Sequence, residues 1–366
     1  MDMTATKTVT LEGRFPMHRG GHLLSPTVAY ETWGELSEAG DNAILLFTGL
    51  SPSAHAASSP KNPASGWWED MIGSGLPLDT DRYFVICVNS LGSCFGSTGP
   101  ASIDPETGER YGLTFPVLSL EDVAEAGYGV VEALGLDGLC ATIGCSMGGM
   151  SALAFCLRHP ELSRSLVSIS AAARALPFSI AVRSLQREII RKDRKWMGGQ
   201  YDPADPPLTG QRLARKLGMI TYRSAEEWEQ RFGRERATPE GDPNDLFAGD
   251  FVVESYLEAQ ANRFSGGFDP NCYLYLSRAS DLFDAAEHGG SLDTAFSRLS
   301  LERALVIGVE TDVLFPIRQQ GELADALRSV VSDVSLVRLD CLKGHDSFLV
   351  EMDAFRPVIS KFFGTD

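Results

Sequence analysis

The sequence has no long apolar run and no long basic run. No stretch approaches the roughly 18 consecutive apolar residues that a membrane-spanning helix requires. A formal net charge of −17 argues against nucleic acid as the main partner. The first residues also lack the charged-then-apolar layout of a signal peptide. We therefore expect a cytoplasmic protein that binds neither membranes nor nucleic acid.

Cysteine and histidine are sparse as well. The seven cysteines are odd in number and form no Cys-x-x-Cys pair, so the sequence indicates neither a disulfide framework nor a zinc site. Among the six histidines, His18 and His22 have i,i+4 spacing, but the residues between them are Gly-rich. Such a segment is not helical, and we expect no bound metal.

A Gly-Cys-Ser-Met-Gly segment at 144–148 follows the apolar run 139–143 and overlaps a helical pattern at 147–157. A serine on a sharp turn between a buried strand and a helix needs small residues two positions before and after it, because the backbones approach closely there. The two terminal glycines meet this need. We predict that Ser146 is a nucleophile and that the amide of Met147 stabilises the oxyanion.

Continuous apolar runs that end in turn-forming residues recur along the chain. Runs of this kind are typical of strands buried on both faces in a parallel sheet covered by helices. Helical patterns such as 120–134 separate most of them. The sequence therefore predicts a doubly wound, mostly parallel α/β sheet. The strands are expected at 43–47, 83–88, 139–143, 166–169, 304–309 and 334–339.

The block 176–299 has a different sequence pattern, with charged helical stretches separated by Pro- and Gly-rich turns. Strand signals are nearly absent there and return near 304. We predict a helical lid at 176–299, inserted into a core formed by 1–175 and 300–366. The helical stretches are 178–196, 211–217, 225–232 and 251–264.

A serine nucleophile needs a base that accepts its proton near neutral pH. In this kind of fold the chain order is nucleophile, acid, base, each on a loop after a strand. His345 fits, because it follows the strand 334–339 in a turn near the C-terminus. Two carboxylates, Glu310 and Asp312, follow the strand 304–309. We choose Asp312 because it lies further into the loop and precedes an apolar segment that would anchor it.

Two other histidines have competing interpretations. His159 precedes Pro160 at the end of the helix after Ser146, and we interpret it as a C-terminal cap. His55 follows the loop that should supply the second oxyanion amide, from Leu50. It lines the pocket in one interpretation and packs against its own loop in the other.

Further segments match a known family in order over nearly the whole chain. They are 66–73, 79–85, 96–100, 146–150, 220–222, 254–257, 268–271 and 344–350. With these segments, the chain resembles the homoserine O-acetyltransferase family. The resemblance implies an α/β-hydrolase fold with a helical lid, a homodimer formed through the lid, and transfer of an acyl group from coenzyme A to an amino-acid hydroxyl.

Within that family the chain is most similar to the serine O-succinyltransferase branch. The similarity lies in 49–55, 89–94 and 177–181. It implies that the loop Pro52-Ser53-Ala54-His55 determines substrate specificity. Two departures from the family pattern affect the expected pocket: Cys145 stands where Gly or Asn is more common, and Cys272 stands where Ser is usual.

Charged residues in the predicted lid suggest how the substrates bind. Arg183, Arg187 and Arg191 have four-residue spacing and share one helix face. They either pair with local carboxylates or bind anions, with Arg183 on the free carboxylate of a succinyl group and the others on coenzyme A phosphates. The resemblance assigns Arg215 to substrate binding and Asp346 to the ammonium group of the amino acid.

The resulting hypothesis is a ping-pong acyltransferase with no permanently bound cofactor. Ser146 takes a succinyl group from succinyl-CoA and passes it to L-serine, with His345 as base. One alternative uses L-homoserine with acetyl-CoA or succinyl-CoA. A second is a hydrolase, because the same three residues serve water. A third is a catalytically silent scaffold.

Overall fold

The fold is known from a computed structural model, which describes residues 4–237, 247 and 249–365. Its twelve strands within those residues form one large sheet and two small two-stranded sheets. The strands are β1 (Lys7–Thr10), β2 (Arg14–Pro16), β3 (His22–Leu24), β4 (Thr27–Trp33), β5 (Ala43–Phe47), β6 (Ile72–Gly73), β7 (Leu78–Asp79), β8 (Phe84–Val88), β9 (Ala141–Cys145), β10 (Ser165–Ile169), β11 (Arg303–Val309) and β12 (Asp333–Leu339).

The large sheet has eight strands in the order β1-β4-β8-β5-β9-β10-β11-β12. The strands from β8 to β12 run parallel, whereas β4 pairs antiparallel with both β1 and β8. The prediction of a mostly parallel α/β sheet of the α/β-hydrolase fold is confirmed. The apolar runs do not predict β1–β4, which lack a continuous apolar sequence. Strand β1 forms the edge of the large sheet, β4 lies next to it, and β2 and β3 form a separate sheet.

The described helices cover both faces of the sheet. They are α1 (Leu120–Ala133), α2 (Met147–Arg158), α3 (Pro177–Lys192), α4 (Leu208–Tyr222), α5 (Ala225–Phe232), α6 (Val252–Phe264), α7 (Pro270–Leu282), α8 (Leu292–Phe296), α9 (Ile317–Arg328), α10 (Ser347–Val350) and α11 (Met352–Phe363). None of them is long and apolar enough to cross a membrane.

Strand β5 shows why the central runs are continuously apolar. Leu45 and Phe47 belong to the hydrophobic cluster that includes residues of α1 and α2. Ile44 and Leu46 point to the other face and belong to the cluster with α11. Because successive side chains of a strand alternate between faces, a strand covered on both sides has no polar position.

Several predicted element boundaries differ from the structure, and the helix expected at 211–217 runs from Leu208 to Tyr222. The first helix of the block 176–299 ends at Lys192 and not at 196, because Asp193 is extended and its carboxylate accepts hydrogen bonds from the amides of Lys195 and Gly210. The strand predicted at 139–143 runs from Ala141 to Cys145. It therefore ends directly before Ser146, with no intervening turn residue.

Helices α3–α8 occupy the chain between β10 and β11. Helix α3 packs against both α4 and α7, so these helices support one another. We propose that 176–299 is a lid on the core formed by 1–175 and 300–366. Residues 1–3, 238–246, 248 and 366 of these three segments lie outside the described residues.

The glycines around Ser146 are required by backbone contact between β9, α2 and β5. A Cβ atom on Gly144 would lie 2.0 Å from the carbonyl oxygen of Gly148. One on Gly148 would lie 2.3 Å from the carbonyl oxygen of Phe47. Neither backbone can move without separating the strand from the helix, so the small residues fix the position of Ser146.

We expect Gly144→Ala to destabilise the protein by about 3 kcal/mol or more, because the added methyl overlaps backbone atoms in a closely packed core. The control is Gly321→Ala in α9, where a Cβ atom has no neighbour within 4 Å. Alanine should stabilise that helix by up to about 1 kcal/mol. Urea unfolding of both variants tests this, and similar unfolding free energies would contradict it.

Candidate active site

Ser146 lies on a strained turn at the carboxyl end of β9. Its φ is +57°, in a region that residues other than glycine rarely adopt. The amide of Ser146 donates a hydrogen bond of 2.8 Å to the carbonyl of Ile169, which anchors the turn to β10. This conformation raises the hydroxyl above the sheet, as a nucleophile on such a turn requires.

The structure brings together Ser146, His345 and Asp312 from three different loops. His345 Nε2 lies 2.7 Å from Ser146 Oγ, and His345 Nδ1 lies 2.7 Å from Asp312 Oδ2. The other oxygen of Asp312 accepts hydrogen bonds of 2.8 Å from the amides of Leu314 and Phe315. Both carboxylate oxygens are thereby held in place, and the imidazole is oriented toward the serine.

The contact with Asp312 decides which nitrogen of His345 carries the proton. An ionised carboxylate only accepts, so Nδ1 donates and Nε2 is left as the acceptor for the Ser146 hydroxyl. His345 is only 4% exposed. Burial alone would lower its pKa, but the charge and hydrogen bond of Asp312, with the charge of Asp346, raise the pKa above its ordinary value.

Glu310, the other carboxylate considered after β11, lies on the surface. Arg338 Nε donates to Glu310 Oε1 at 2.7 Å, and the Glu310 side chain is 38% exposed. The two residues differ because the turn after β11 directs residue 312 inward, and the amide of Asp312 donates to the carbonyl of Val309. Asp312, and not Glu310, therefore contacts His345.

Leu50 and Met147 both line the cavity beside Ser146. Met147 is the first residue of α2, so its amide has no acceptor within the helix and points out of the helix N-terminus. The N-terminal end of a helix also favours negative charge. Leu50 follows β5, the strand adjacent to β9. The two amides are thus available to an oxyanion that forms on a carbonyl attacked by Ser146.

The cavity around Ser146 has a volume of about 140 Å³. Among its lining residues, Arg183 from α3 and Tyr273 from α7 are buried, whereas Pro52 and Trp67 are half-buried. The lining residues are Gly49, Leu50, Ser51, Pro52, Trp67, Cys145, Ser146, Met147, Arg183, Gln186, Arg215, Tyr222, Tyr273, Ser280, Leu314, Phe315, His345, Asp346, Phe348 and Leu349.

Two arginines reach this cavity from the block 176–299. Arg183 Nε pairs with Asp281 Oδ1 at 2.6 Å, whereas Arg183 Nη2 is buried without a hydrogen-bond partner among the described residues. The Arg215 guanidinium lies over the ring of Phe264, 4.3 Å from its centroid, and its Nε is also buried without such a partner. Both side chains therefore retain donors for an anion.

Asp346 supplies a carboxylate to the same cavity. Arg223 Nε lies 3.3 Å from Asp346 Oδ2. Burial raises the pKa of Asp346 above its ordinary value, and the charges of Arg223 and His345 oppose that shift. A bound ammonium group would also oppose it, because an opposite charge favours the ionised carboxylate.

Only part of the loop 52–55 reaches the cavity, and its role in substrate specificity stays a prediction. Pro52 lines the cavity, but Ser53, Ala54 and His55 are not among its lining residues. Ser53 and Ala54 are buried in the loop. His55 Nδ1 lies 2.9 Å from the carboxylate of Glu31 on β4, and its Nε2 lies 2.8 Å from the carbonyl of Ala64. The loop turns away because these bonds hold His55 against its own segment and β4.

The other histidines have structural contacts. His159 ends α2, where its Nε2 lies 3.2 Å from the carboxylate of Glu125. His18 and His22 lie outside the helices, as expected from the glycines between them. Across the described part of the chain, no three His, Cys, Asp or Glu side chains are grouped so that they could hold a metal ion.

Sequence reasoning missed several residues of the cavity wall. Phe315 stacks on His345 with ring centroids 5.2 Å apart, and Phe348 contacts it edge-on at 5.5 Å. Their nearness in the sequence to Asp312 and His345 was a usable signal. Tyr273 and Ser280 come from α7, and nothing in their local sequence indicates that α7 reaches the cavity.

Comparisons with known proteins agree with this fold. The model of the alpha/beta hydrolase fold family matches residues 42–351. The serine O-succinyltransferase of Litchfieldella anticariensis is 56% identical, with 98% of each chain covered. The L-serine/homoserine O-acetyltransferase of Streptomyces lavendulae is 55% identical, with 98% of this chain and 97% of the relative covered.

Solved structures extend the comparison. Homoserine O-acetyltransferase from Bacillus anthracis superposes with a TM-score of 0.91 at 26% identity, covering 99% of this chain and 98% of that one. Esterase E22 superposes with a TM-score of 0.87 at 28% identity, covering 98% of this chain and 99% of the esterase chain. Over nearly its full length, the chain is more than 50% identical to proteins named as O-acyltransferases. It therefore belongs to the serine O-succinyltransferase and homoserine O-acetyltransferase family of the α/β-hydrolase fold.

Proposed function

We propose that this enzyme transfers a succinyl group from succinyl-CoA to the hydroxyl of L-serine, giving O-succinyl-L-serine. The observation that carries the proposal is the set of charges around Ser146. The cavity holds two arginines with unpaired buried donors, Arg183 and Arg215, and one carboxylate, Asp346. A succinyl group brings one carboxylate, and serine brings a carboxylate and an ammonium, so each charge has an opposite partner.

In the first half-reaction, His345 Nε2 accepts the proton of Ser146 Oγ as that oxygen attacks the thioester carbonyl. The amides of Leu50 and Met147 stabilise the oxyanion. When the oxyanion collapses, the C–S bond breaks, and the proton on His345 passes to the leaving thiolate. Asp312 stabilises the imidazolium between these steps without accepting its proton.

In the second half-reaction, His345 removes the proton from the serine hydroxyl, which attacks the succinyl-enzyme ester. We assign the ammonium group of the acceptor to Asp346 and its carboxylate to Arg215. Because Asp346 is adjacent to His345 in the chain, this binding brings the acceptor hydroxyl toward the base. Collapse of the second oxyanion releases O-succinyl-L-serine and returns the proton to Ser146.

The identity of the acyl donor is the most specific part of the proposal. Relatives at 56% and 55% identity carry the names of a succinyl- and an acetyltransferase. Overall identity therefore does not separate the donors, and the choice rests on Arg183. Arg183 lines the cavity, and its Nη2 is buried without a hydrogen-bond partner among the described residues. A succinyl chain that extends from Ser146 toward α3 places its carboxylate at this guanidinium.

Hydrolysis is the second candidate, favoured by the likeness to esterase E22. A single experiment separates these functions: acetyl-CoA and succinyl-CoA are each combined with L-serine, L-homoserine or no acceptor, and coenzyme A release is measured. The proposal predicts the fastest release with succinyl-CoA and L-serine and slow release without acceptor. Equal release with and without acceptor would indicate a hydrolase.

We also propose that the enzyme forms a homodimer through the block 176–299. Leu185 on α3 and Leu213 on α4 are each 49% exposed and, with Ile189, border one groove. Exposed apolar side chains that share a surface indicate an interface. Size-exclusion chromatography with light scattering measures the mass directly, and a monomer at micromolar concentration would contradict this proposal.

We expect Ser146→Ala and His345→Ala each to reduce turnover by about 10⁴-fold or more, because they remove the nucleophile or its base. Residues that act as a unit are not additive, so the double variant should be scarcely worse than either single one. Steady-state kinetics with matched thermal unfolding checks both points. Activity of Ser146→Ala within about tenfold of wild type would contradict the mechanism.

The pH profile follows from the raised pKa of His345. The base acts when it is unprotonated, so kcat/KM for succinyl-CoA should rise with pH, with a midpoint above the ordinary value of 6.5. Asp312→Asn removes the charge that raises the pKa, so the midpoint should move to lower pH while the rate falls by about 10⁴-fold. An unchanged midpoint in Asp312→Asn would contradict this assignment.

Arg183→Leu tests the donor. If the guanidinium binds the distal succinyl carboxylate, the substitution should lower kcat/KM for succinyl-CoA about ten- to a hundredfold more than for acetyl-CoA, because a charge-assisted hydrogen bond contributes about 1.5–3 kcal/mol. Arg183→Lys should restore only part of the loss, since lysine lacks the planar fork. Equal losses for both donors would favour the acetyltransferase alternative.

A further inference from the structure

Three largely buried charged side chains form ion pairs between α3 and α7. Asp281 on α7 is 1% exposed and stands between two arginines of α3. Arg183 Nε lies 2.6 Å from Asp281 Oδ1, and Arg187 Nη2 lies 2.6 Å from Asp281 Oδ2. The side chains of Arg183 and Arg187 are 8% and 13% exposed. One carboxylate therefore neutralises only one of two largely buried guanidinium groups.

The two arginines face different cavities, because Arg187 borders a second cavity, between α3 and α7, and only Arg183 reaches the cavity around Ser146. Arg183 lines the cavity around Ser146, whereas Arg187 and Asp281 do not. Arg187 is held on its other side by a hydrogen bond of 2.9 Å from Nη1 to Ser277 Oγ. The other carboxylates close to the cavity have partners of their own, Asp312 with His345 and Asp346 with Arg223. Within this group of three, the donor without a partner among the described residues is Arg183 Nη2, which is buried.

An unbalanced charge in a buried site is costly unless an opposite charge joins it. A donor with a distal carboxylate supplies that charge, whereas an acetyl group does not. If Arg187 were absent, Asp281 would balance Arg183 completely, and the pair would have little net attraction for a third charge. The presence of Arg187 therefore leaves the charge of Arg183 available to a substrate carboxylate.

We propose that Arg187 is a specificity-determining residue that acts through Asp281. By sharing the Asp281 carboxylate, it leaves the Arg183 charge free for the distal carboxylate of the acyl donor, without touching the substrate itself. This inference rests on the proposed function, because it assumes that Arg183 binds a succinyl group. It assigns donor selectivity to the net charge of three residues and not to Arg183 alone.

The test measures the ratio of kcat/KM for succinyl-CoA to that for acetyl-CoA. In Arg187→Gln the three groups become neutral overall, and the ratio should fall about tenfold. Arg187→Lys keeps the positive charge and should keep most of the ratio. The double variant Arg187→Gln/Asp281→Asn removes one charge of each sign, which restores the surplus on Arg183. The ratio should therefore recover, although a second buried group has been changed.

Arg191→Gln is the matched control. Arg191 belongs to the same arginine stripe of α3, but its guanidinium lies over Trp196, 5.5 Å from the ring centroid. Removing it takes away the same charge from the same helix, and the donor ratio should not change. Thermal unfolding is measured for every variant. If Arg187→Gln does not fold, Arg187→Met provides a second neutral side chain for the same comparison.

The outcomes separate this inference from the function on which it rests. If wild type prefers succinyl-CoA and Arg183→Leu abolishes that preference while Arg187→Gln keeps it, the role of Arg187 is refuted and the function stands. If the donor ratio does not recover in the double variant, the charge argument is also refuted. A merely structural defect would lower the ratio further in the double variant, because a second buried group has been changed. A wild-type preference for acetyl-CoA would refute both the role of Arg187 and the proposed function.

Discussion

The functional site depends on a chain of hydrogen bonds that joins three loops at the carboxyl edge of the sheet. Ser146 follows β9, Asp312 follows β11 and His345 follows β12, and the two contacts between them are each 2.7 Å long. The parallel strands deliver these residues to one edge, and the close approach of Gly144 and Gly148 sets the height of the serine. Because Asp312 fixes the proton on Nδ1, the free nitrogen of the imidazole faces the nucleophile. Apart from the amides of Leu50 and Met147, which we assign to the oxyanion, we propose that the other charged groups of the site select the substrates.

Selection is provided by charges from two parts of the chain. Asp346 follows the base directly, so its position relative to the nucleophile is set by the same turn that holds His345. Arg183 and Arg215 come from α3 and α4 and reach the site because those helices cover the edge of the sheet. The fold thus separates the reacting groups, which are on the core, from the arginines to which we assign the substrate carboxylates.

Much of this arrangement could be predicted from the sequence, because local patterns encode it. Buried parallel strands give continuous apolar runs, and the glycines at 144 and 148 indicate the turn at Ser146. The contacts that the sequence did not indicate include several between segments distant in the chain. His55 is held by Glu31 on β4, a strand that the apolar runs do not predict, so the loop 52–55 contributes only Pro52 to the cavity. Likewise, the ion pair of Arg183 with Asp281 joins residues 98 positions apart, and no local pattern indicates it.

The central claim is that Ser146 carries the acyl group between donor and acceptor. Mass spectrometry of the enzyme mixed with succinyl-CoA in the absence of acceptor tests it most directly. The account predicts a mass increase of one succinyl group, confined to the peptide that contains Ser146, and its loss to O-succinyl-L-serine when L-serine is added. An enzyme that turns over both substrates without this adduct, or carries the succinyl group on another residue, would contradict the account.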